Sequence, residues 1–225
     1  MKKVTIISLL IVMWMGMSRN FIQAQCTCLE EHGIIPDSTI RVLASQVGYD
    51  YDKYIDLDVR DGFVFKEGDI IISTLEDFIN KGVADDHAFW TNNTIPYVIG
   101  SGFSASDIQE IHDAAAHVSS NTNLTVKVRT TESQWVAIYT GTGCAASIDM
   151  PATGNAVMCL APGCSLGNTI HEFLHNAGVS HVQVREDRNS FVNINFSNIK
   201  SGEEHNFFLA NTSTNTDYET YDLDL

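Results

Sequence analysis

Short apolar runs alternate with longer amphipathic segments after residue 94. Four runs have the length and apolar–polar alternation typical of β-strands: "IPYVIG" (95–100), "LTVKVRT" (124–130), "WVAIYTG" (135–141) and "NAVMCLA" (155–161). Between the first two, residues 104–121 place Ile108, Ile111, Ala115 and Val118 at helical spacing, which predicts an amphipathic helix. A second helix is predicted from about Leu166 to Ala177. The order of elements is that of a mixed domain in which strands and helices share one core.

Residues 26–81 follow a different pattern. They contain the alternating runs "YIDLDV" and "FVF", and they carry twelve acidic against five basic side chains. "STLEDFIN" predicts a short helix, with Ser73 as the N-cap and Glu76 closing a capping box. The polar stretch "NKGVADDHAFWTNNT" follows and predicts an exposed, cleavable connector that includes Lys81 and Gly82.

The N-terminus has the pattern of an export signal. Lys2 and Lys3 precede an apolar run of 14 residues, "VTIISLLIVMWMGM", which is too short for a membrane span and typical of a signal peptide. Cleavage near Ala24 or Gln25 would release a secreted, extracellular or periplasmic protein without stable membrane insertion. Cys26 leaves a lipid-anchored N-terminus as the alternative, although Gln25 before it is not the small residue that such a site prefers.

Composition limits the class of partner. A hydrophobic content of 44% is enough for a core, which argues against a disordered chain. The net charge of -15 excludes nucleic acid as the expected partner, because a phosphate backbone requires a basic surface.

The segment "HEFLHNAGVSH" (171–181) predicts a catalytic metal site. On a helix His171 and His175 lie on the same face, four residues apart, where both rings can reach one ion at about 2.0–2.1 Å. Gly178 can adopt the left-handed conformation that ends a helix, which would bring His181 back as a third ligand. Three protein ligands with one open position are typical of catalytic zinc, with one Zn²⁺ per chain.

Glu172 is offset from the two helical ligands and is the predicted general base, which would take a proton from a water molecule at the zinc. The alternative is a helix without a metal site that carries surface histidines by chance. The extended motif fixes five positions and favours the metal site. The remaining histidines lack ligand spacing and are predicted to be solvated: His32, His87, His112, His117 and His205.

The residues after His181 carry a resemblance to a family. "HEFLHNAGVSHVQVREDRNSFVNI" resembles the astacin branch of the metzincin metalloproteases, through Arg185, Asp187, Arg188, Phe191, Val192 and Ile194. Upstream, "RTTES" (129–133) and "TGTGC" (140–144) resemble strands at the upper rim of the astacin cleft. The resemblance implies an α+β fold, the upper (N-terminal) subdomain with a twisted β-sheet and two long helices. It also implies a zinc endopeptidase, a Cys144–Cys164 disulfide, and a protein or peptide substrate bound along a rim strand near 143–147.

The same resemblance implies a latent zymogen. "FVFKEGDI" is similar to the astacin propeptide motif, an aromatic residue followed by Gly-Asp, although two residues separate Phe65 from Gly68. Asp69 would then bind the zinc in place of water, whereas the alternative for Gly68-Asp69 is a simple turn. A thiolate from Cys26 or Cys28 is the second candidate blocker, and Cys159 either stays buried or pairs with one of them. The implied organisation is a signal peptide (1–25), a propeptide (26–81) and a catalytic domain (82–225) whose C-terminal part is missing.

The chain departs from the astacin pattern at three places. Val182 stands where astacins carry the glutamate that receives the mature N-terminus, and Asn123 stands where one cysteine of a second disulfide is expected. No methionine follows Met158, so the Met-turn of the family lies outside these 225 residues. Two hypotheses follow: the sequence is a piece of a complete protease, or it is a short, weakly active or non-enzymatic pseudo-protease.

Overall fold

The computed structural model describes residues 38–81, 87–151, 154–211 and 221. The export signal, Cys26, Cys28 and His32 lie outside the described residues. The strands are β1 Ser38–Leu43, β2 Tyr54–Arg60, β3 Phe63–Lys66, β4 Ile70–Thr74, β5 His87–Ala88, β6 Thr94–Ile99, β7 Thr125–Val128, β8 Val136–Thr140, β9 Cys144–Ser147, β10 Met150–Pro151 and β11 Ala156–Leu160. The helices are α1 Leu75–Lys81, α2 Ala105–Asn121 and α3 Leu166–Asn176. Short 3-10 turns lie at Ala44–Val47, at Thr91–Asn93 and, after α3, within residues 182–207.

Nine strands form one mixed sheet in the order β1-β2-β3-β4-β9-β11-β8-β6-β7, and β5 pairs with β10 separately. Each neighbouring pair from β1 to β4 is antiparallel. The pairs β11–β8, β8–β6 and β6–β7 are parallel. We call β1–β4 with α1 the pro-segment half, and β6–β9 and β11 with α2 and α3 the catalytic half, after the propeptide and the catalytic domain that the sequence resemblance implies. The predicted α+β fold with a sheet and two long helices is confirmed.

Both long helices begin at side-chain caps. The Ser104 hydroxyl accepts from the Asp107 amide while the Asp107 carboxylate accepts from the Ser104 amide, which satisfies two backbone donors at the start of α2. Ser165 and Asn168 do the same for α3. Helix α2 buries one face against α3 and the sheet, and the buried residues are Ile111, Ala114, Ala115 and Val118.

Three apolar clusters are present among the described residues. The largest lies in the catalytic half between the sheet and helices α2 and α3, and it includes Ile95, Ile138 and Phe173. A second lies in the pro-segment half around Leu57 and Val64. The third, which we call the seam cluster, joins the halves through Phe65, Ile71, Ala145 and Cys159.

Several local predictions were wrong. Helix α1 begins at Leu75, and the Thr74 hydroxyl caps it by accepting from the Asp77 amide, so that Ser73 remains in β4. Trp90 lies within the connector that was predicted to be exposed, but it is buried in the catalytic core and donates from Nε1 to the Asn176 carbonyl.

Two further predictions from the sequence differ from the structure. "RTTES" lies in the loop after β7, where Glu132 pairs with Lys127, and it forms no strand. His205 is buried and bonds through Nδ1 to the Gly202 carbonyl, whereas a solvated ring was expected. No helix of the described residues is long and apolar enough to cross a membrane.

Candidate metal centre

Helix α3 carries the first two histidines. Its inner face is held by Thr169 and Phe173, which are buried against the catalytic core. His171 and His175 lie one turn apart on an adjoining face, with ring centroids 4.5 Å from each other. The His171 side chain remains nearly half exposed, whereas that of His175 is buried.

Gly178 turns the chain after α3. Its φ of 101° lies in the left-handed region, as predicted from its position. A Cβ at this position would collide with the Asp149 carboxylate, so both the backbone conformation and the available space require glycine. The turn returns His181 to the helix, and its Nε2 lies 3.3 Å from Nε2 of His171.

Asp69 completes a group of four potential ligands. One ligand atom from each of Asp69, His171, His175 and His181 lies within 4.8 Å of all the others. The Asp69 carboxylate is 3.5 Å from His171 Nε2, 3.8 Å from His175 Nε2 and 3.2 Å from His181 Nε2. Ligands at about 2.0 Å around a tetrahedral ion are separated by about 3.3 Å, so these spacings fit one zinc-sized ion.

Buried polar atoms point to the same centre. His175 Nε2 and Glu172 Oε2 are buried, and neither makes a hydrogen bond with the described residues. Such unpaired atoms are costly unless an ion or another partner satisfies them. The His175 Nδ1 bonds to the Val179 carbonyl at 2.7 Å, which requires the proton on Nδ1 and leaves Nε2 as a lone-pair donor.

The pKa values of the metal-free site follow from burial and from mutual contacts. Burial lowers the pKa of His175 to about 4. Burial also opposes the charged form of His181, but hydrogen bonds with Asp69 and Glu67 raise the pKa of this ring to about 9. Burial by itself would raise the pKa of Asp69, but hydrogen bonds from His171 and His181 hold this pKa well below the usual range. A buried neutral imidazole and an ionised carboxylate are the forms that bind metal.

Glu172 lies at the edge of this centre and is 1% exposed. Its Oε2 is buried without a hydrogen-bond partner among the described residues. Burial, followed by the nearby charge of Asp69, raises the pKa of Glu172 to about 9 in the metal-free site. A carboxyl group with this environment is a strong proton acceptor once ionised.

Strand β4 lies along the rim of the site. It pairs parallel to β9, with Ile70 opposite Ala146 and Ile71 opposite Ser147, and the Ala146 amide donates to the Asp69 carbonyl at 2.9 Å. The other side of β9 pairs with β11, so both sides of the rim strand are occupied. The sulfur atoms of Cys144 and Cys164 form a disulfide that links the start of β9 to the segment before α3. Cys159, on β11, is also disulfide-bonded.

Two contacts at the site were missed by sequence reasoning. Glu67 lies in the quoted "FVFKEGDI" but was given no role, and its Oε2 is 3.1 Å from His181 Nδ1. Asn176 is fully buried and donates to the Ser147 carbonyl at 2.7 Å, which fixes the end of α3 to the rim strand. The position of Asn176 directly after His175 was the only signal for it.

The segment after His181 is fastened by the residues that carry the family resemblance. The Arg185 guanidinium donates to both carboxylate oxygens of Asp187, at 2.9 and 3.0 Å. Arg188 is buried and donates to the Gln183 carbonyl and to Asn189 Oδ1. These bonds order the 3-10 turns that follow the third histidine.

An α+β fold with three convergent histidines and a glutamate on the active-site helix defines the class of zinc metalloprotease domains. The model of the astacin family of peptidases matches residues 82–224. The chain therefore belongs to the astacin family.

Individual proteins also resemble this chain in sequence. The chain is 32% identical to meprin A subunit beta of Mus musculus over 170 residues, which cover 73% of this chain and 24% of that protein. It is 32% identical to astacin-like metalloprotease toxin 1 of Loxosceles intermedia over 152 residues, covering 66% of this chain and 57% of the toxin. The sequence thus spans less than two thirds of these relatives.

Among solved structures, high choriolytic enzyme 1 of Oryzias latipes, described as a hatching enzyme zinc-protease, superposes with a TM-score of 0.51 at 29% identity. The match covers 59% of this chain and 68% of that protein.

Proposed function

We propose that this chain is the latent precursor of an exported zinc endopeptidase. Residues 1–25 would be the export signal, 26–81 the propeptide and 82–225 the astacin-type catalytic domain. The observation that carries the proposal is the position of Asp69, whose carboxylate lies within 4.8 Å of ligand atoms of His171, His175 and His181. A blocked site of this kind is expected of a protease that must stay inactive until it is cleaved.

His171, His175 and His181 would hold one Zn²⁺ through their Nε2 atoms. When bound, zinc would lower the pKa of a water molecule and polarise a peptide carbonyl. Glu172 would accept the proton of the attacking water on its carboxylate and deliver it to the leaving amine. In the latent chain Asp69 would occupy the position that this water needs.

The rim strand β9 is the proposed binding edge for a protein or peptide substrate. Its amide and carbonyl groups can pair with an extended peptide, and in the latent chain β4 already makes those bonds. Substrate and pro-segment would therefore compete for one edge. Displacement of β4 would free both the edge and the fourth zinc position.

The first experiment tests latency. Asp69→Asn in the intact chain should raise hydrolysis of a fluorogenic peptide, because a neutral amide is a poor zinc ligand. Asp58→Asn is the matched control, since Asp58 lies exposed in β2 of the same half. Equal activity of the two variants would contradict the blocking role of Asp69.

The second experiment tests catalysis. The chain cleaved between Lys81 and Gly82 should hydrolyse the peptide, and Glu172→Gln in the same cleaved form should reduce the rate by about 10²–10⁴-fold. Elemental analysis should find one zinc per chain in both. Zinc without a difference in rate would favour a non-enzymatic pseudo-protease, and absence of zinc would overturn the metal site itself.

Export is proposed from the basic start and the apolar run of the N-terminus. Expression in a secreting host should give a product that begins near residue 26. Deletion of residues 1–25 should keep the chain inside the cell.

A further inference from the structure

The three histidines differ in what holds their rings. His175 is oriented from within the catalytic half, because its Nδ1 bonds to the Val179 carbonyl. The Nδ1 of His181 instead bonds to Glu67, a residue of the pro-segment half that precedes it by 114 positions. The residue after His181 is Val182, which offers no carboxylate of its own.

Glu67 is placed for this contact by the turn between β3 and β4. Glu67 has a φ of 56° and Gly68 a φ of 93°, both in the left-handed region. The two left-handed residues turn the chain so that Glu67 and Asp69 both approach the histidines. Arg60 fastens the turn by donating to the Gly68 carbonyl.

The Glu67 carboxylate is deeply buried, which is unusual for a charged group. Its side chain is 1% exposed, and the Lys66 ammonium lies 3.3 Å from the second carboxylate oxygen. A buried carboxylate is costly unless charged or hydrogen-bonded partners compensate it. Among the described residues, Lys66 lies at one oxygen and the His181 ring at the other, and the Tyr49 hydroxyl is a further neighbour of this carboxylate.

A carboxylate behind a metal-binding histidine has a known effect. It accepts the proton of the outer ring nitrogen, fixes the tautomer and the ring orientation, and makes the inner nitrogen a better donor. Loss of such a partner typically lowers metal affinity by about 10–100-fold.

We propose that Glu67 is a positioning residue for His181, so that the pro-segment supports the metal site as well as blocking it. This inference rests on the proposed zinc site. The pro-segment then makes two separate contributions to metal retention, through Asp69 on the ion and through Glu67 on the back of a ligand ring. Departure of the pro-segment removes both, so the latent chain holds zinc more tightly than the cleaved chain does.

The experiment measures zinc affinity of the intact, uncleaved chain by competition with a chromogenic chelator. Glu67→Ala should weaken zinc binding by about 10–100-fold, and Glu67→Gln, which keeps an acceptor but removes the charge, by a smaller factor. Glu76→Gln is the matched control, because it removes one exposed carboxylate from α1 of the same half. Thermal unfolding without metal confirms that each variant is folded.

A second readout separates positioning from a merely structural role. In ¹⁵N NMR spectra of the zinc-loaded chain, Glu67→Gln should shift the Nδ1–H resonance of His181 upfield and leave that of His175 in place. Wild-type affinity in both Glu67 variants, with an unmoved His181 resonance, would overturn this inference while the zinc site stands. Failure of the wild-type chain to bind zinc would instead refute the proposed function.

Discussion

The two halves of the nine-stranded sheet are built on different principles. In the pro-segment half, β2 alternates strictly between exposed Tyr54, Asp56 and Asp58 and buried Ile55, Leu57 and Val59. This pattern is typical of an antiparallel sheet with one wet face. In the catalytic half, four of the five residues of β11 are buried, and its neighbour β8 runs parallel to it.

The comparison shows what would hold the proposed blocking turn in place. The pro-segment half has its own apolar cluster, so the turn that bears Glu67 and Asp69 is part of a folded unit. Ordering that turn requires little further loss of entropy when it enters the site. The seam cluster and the β4–β9 pairing then set the two halves in register.

The largest expected effects come from truncation of the two cores. Phe173→Ala and Leu57→Ala should each lower the free energy of unfolding by about 3–5 kcal/mol, because both side chains are fully buried. Trp90 and Trp135 both lie in the catalytic part of the chain, so tryptophan fluorescence of the chain without its signal reports that part while circular dichroism reports both halves. We expect Leu57→Ala to shift the two transitions equally, because the seam couples the halves. A fluorescence transition that Leu57→Ala leaves unmoved would show that the halves unfold separately.

A pH dependence of intermediate size is expected from Glu172 in the metal-free chain. Its folded pKa of about 9 exceeds its unfolded value, so the folded state binds more protons between these values and its stability falls as pH rises through this window. Glu172→Gln removes this dependence. In chelator, the variant should gain stability over wild type between pH 5 and pH 8, on the order of a few kcal/mol, in urea unfolding. A constant difference across this range would contradict the raised pKa.

A smaller effect is expected from the helix caps. Ser165→Ala and Thr74→Ala should each cost about 1 kcal/mol, because each hydroxyl satisfies a backbone donor at a helix start. Only Ser165→Ala should also weaken zinc binding, since α3 carries two of the three histidines. Chelator competition beside thermal unfolding measures both effects, and equal loss of affinity in the two variants would show that the cap does not act through α3.

The smallest effect belongs to the pair of Arg41 and Asp56 on the outer strands. Both side chains are about half exposed or more and the ion pair is 3.3 Å long. Arg41→Ala should change stability by less than about 1 kcal/mol, and the change should shrink in about 0.5 M salt. A larger effect in thermal unfolding would mean that the outer edge of the pro-segment half is held by more than its apolar cluster.

Local patterns in the sequence predicted individual helices and turns better than they predicted which elements contact one another in the fold. The spacing of His171 and His175 and the place of Gly178 were sufficient to predict a helix, a turn and the convergence of three histidines, because each depends on residues close in sequence. The pairing of β4 with β9 and the contact of Glu67 with His181 depend on tertiary packing, which periodicity does not report. Trp90 and His205 show the same limit, since polar neighbours suggested exposure while distant segments cover both rings.

One isolated bridge closes the chain on itself. Tyr49 pairs with Ala210, the Asp50 amide donates to the Leu209 carbonyl, and the Phe208 ring lies 4.1 Å from that of Tyr51. Contacts between positions so distant along the sequence carry a large loop-closure cost and slow the approach to the native state. During synthesis these contacts cannot form until residues near 210 have left the ribosome. Native structure around Tyr49 and Ala210 is thus completed late, and a substitution that weakens these contacts is expected to slow folding.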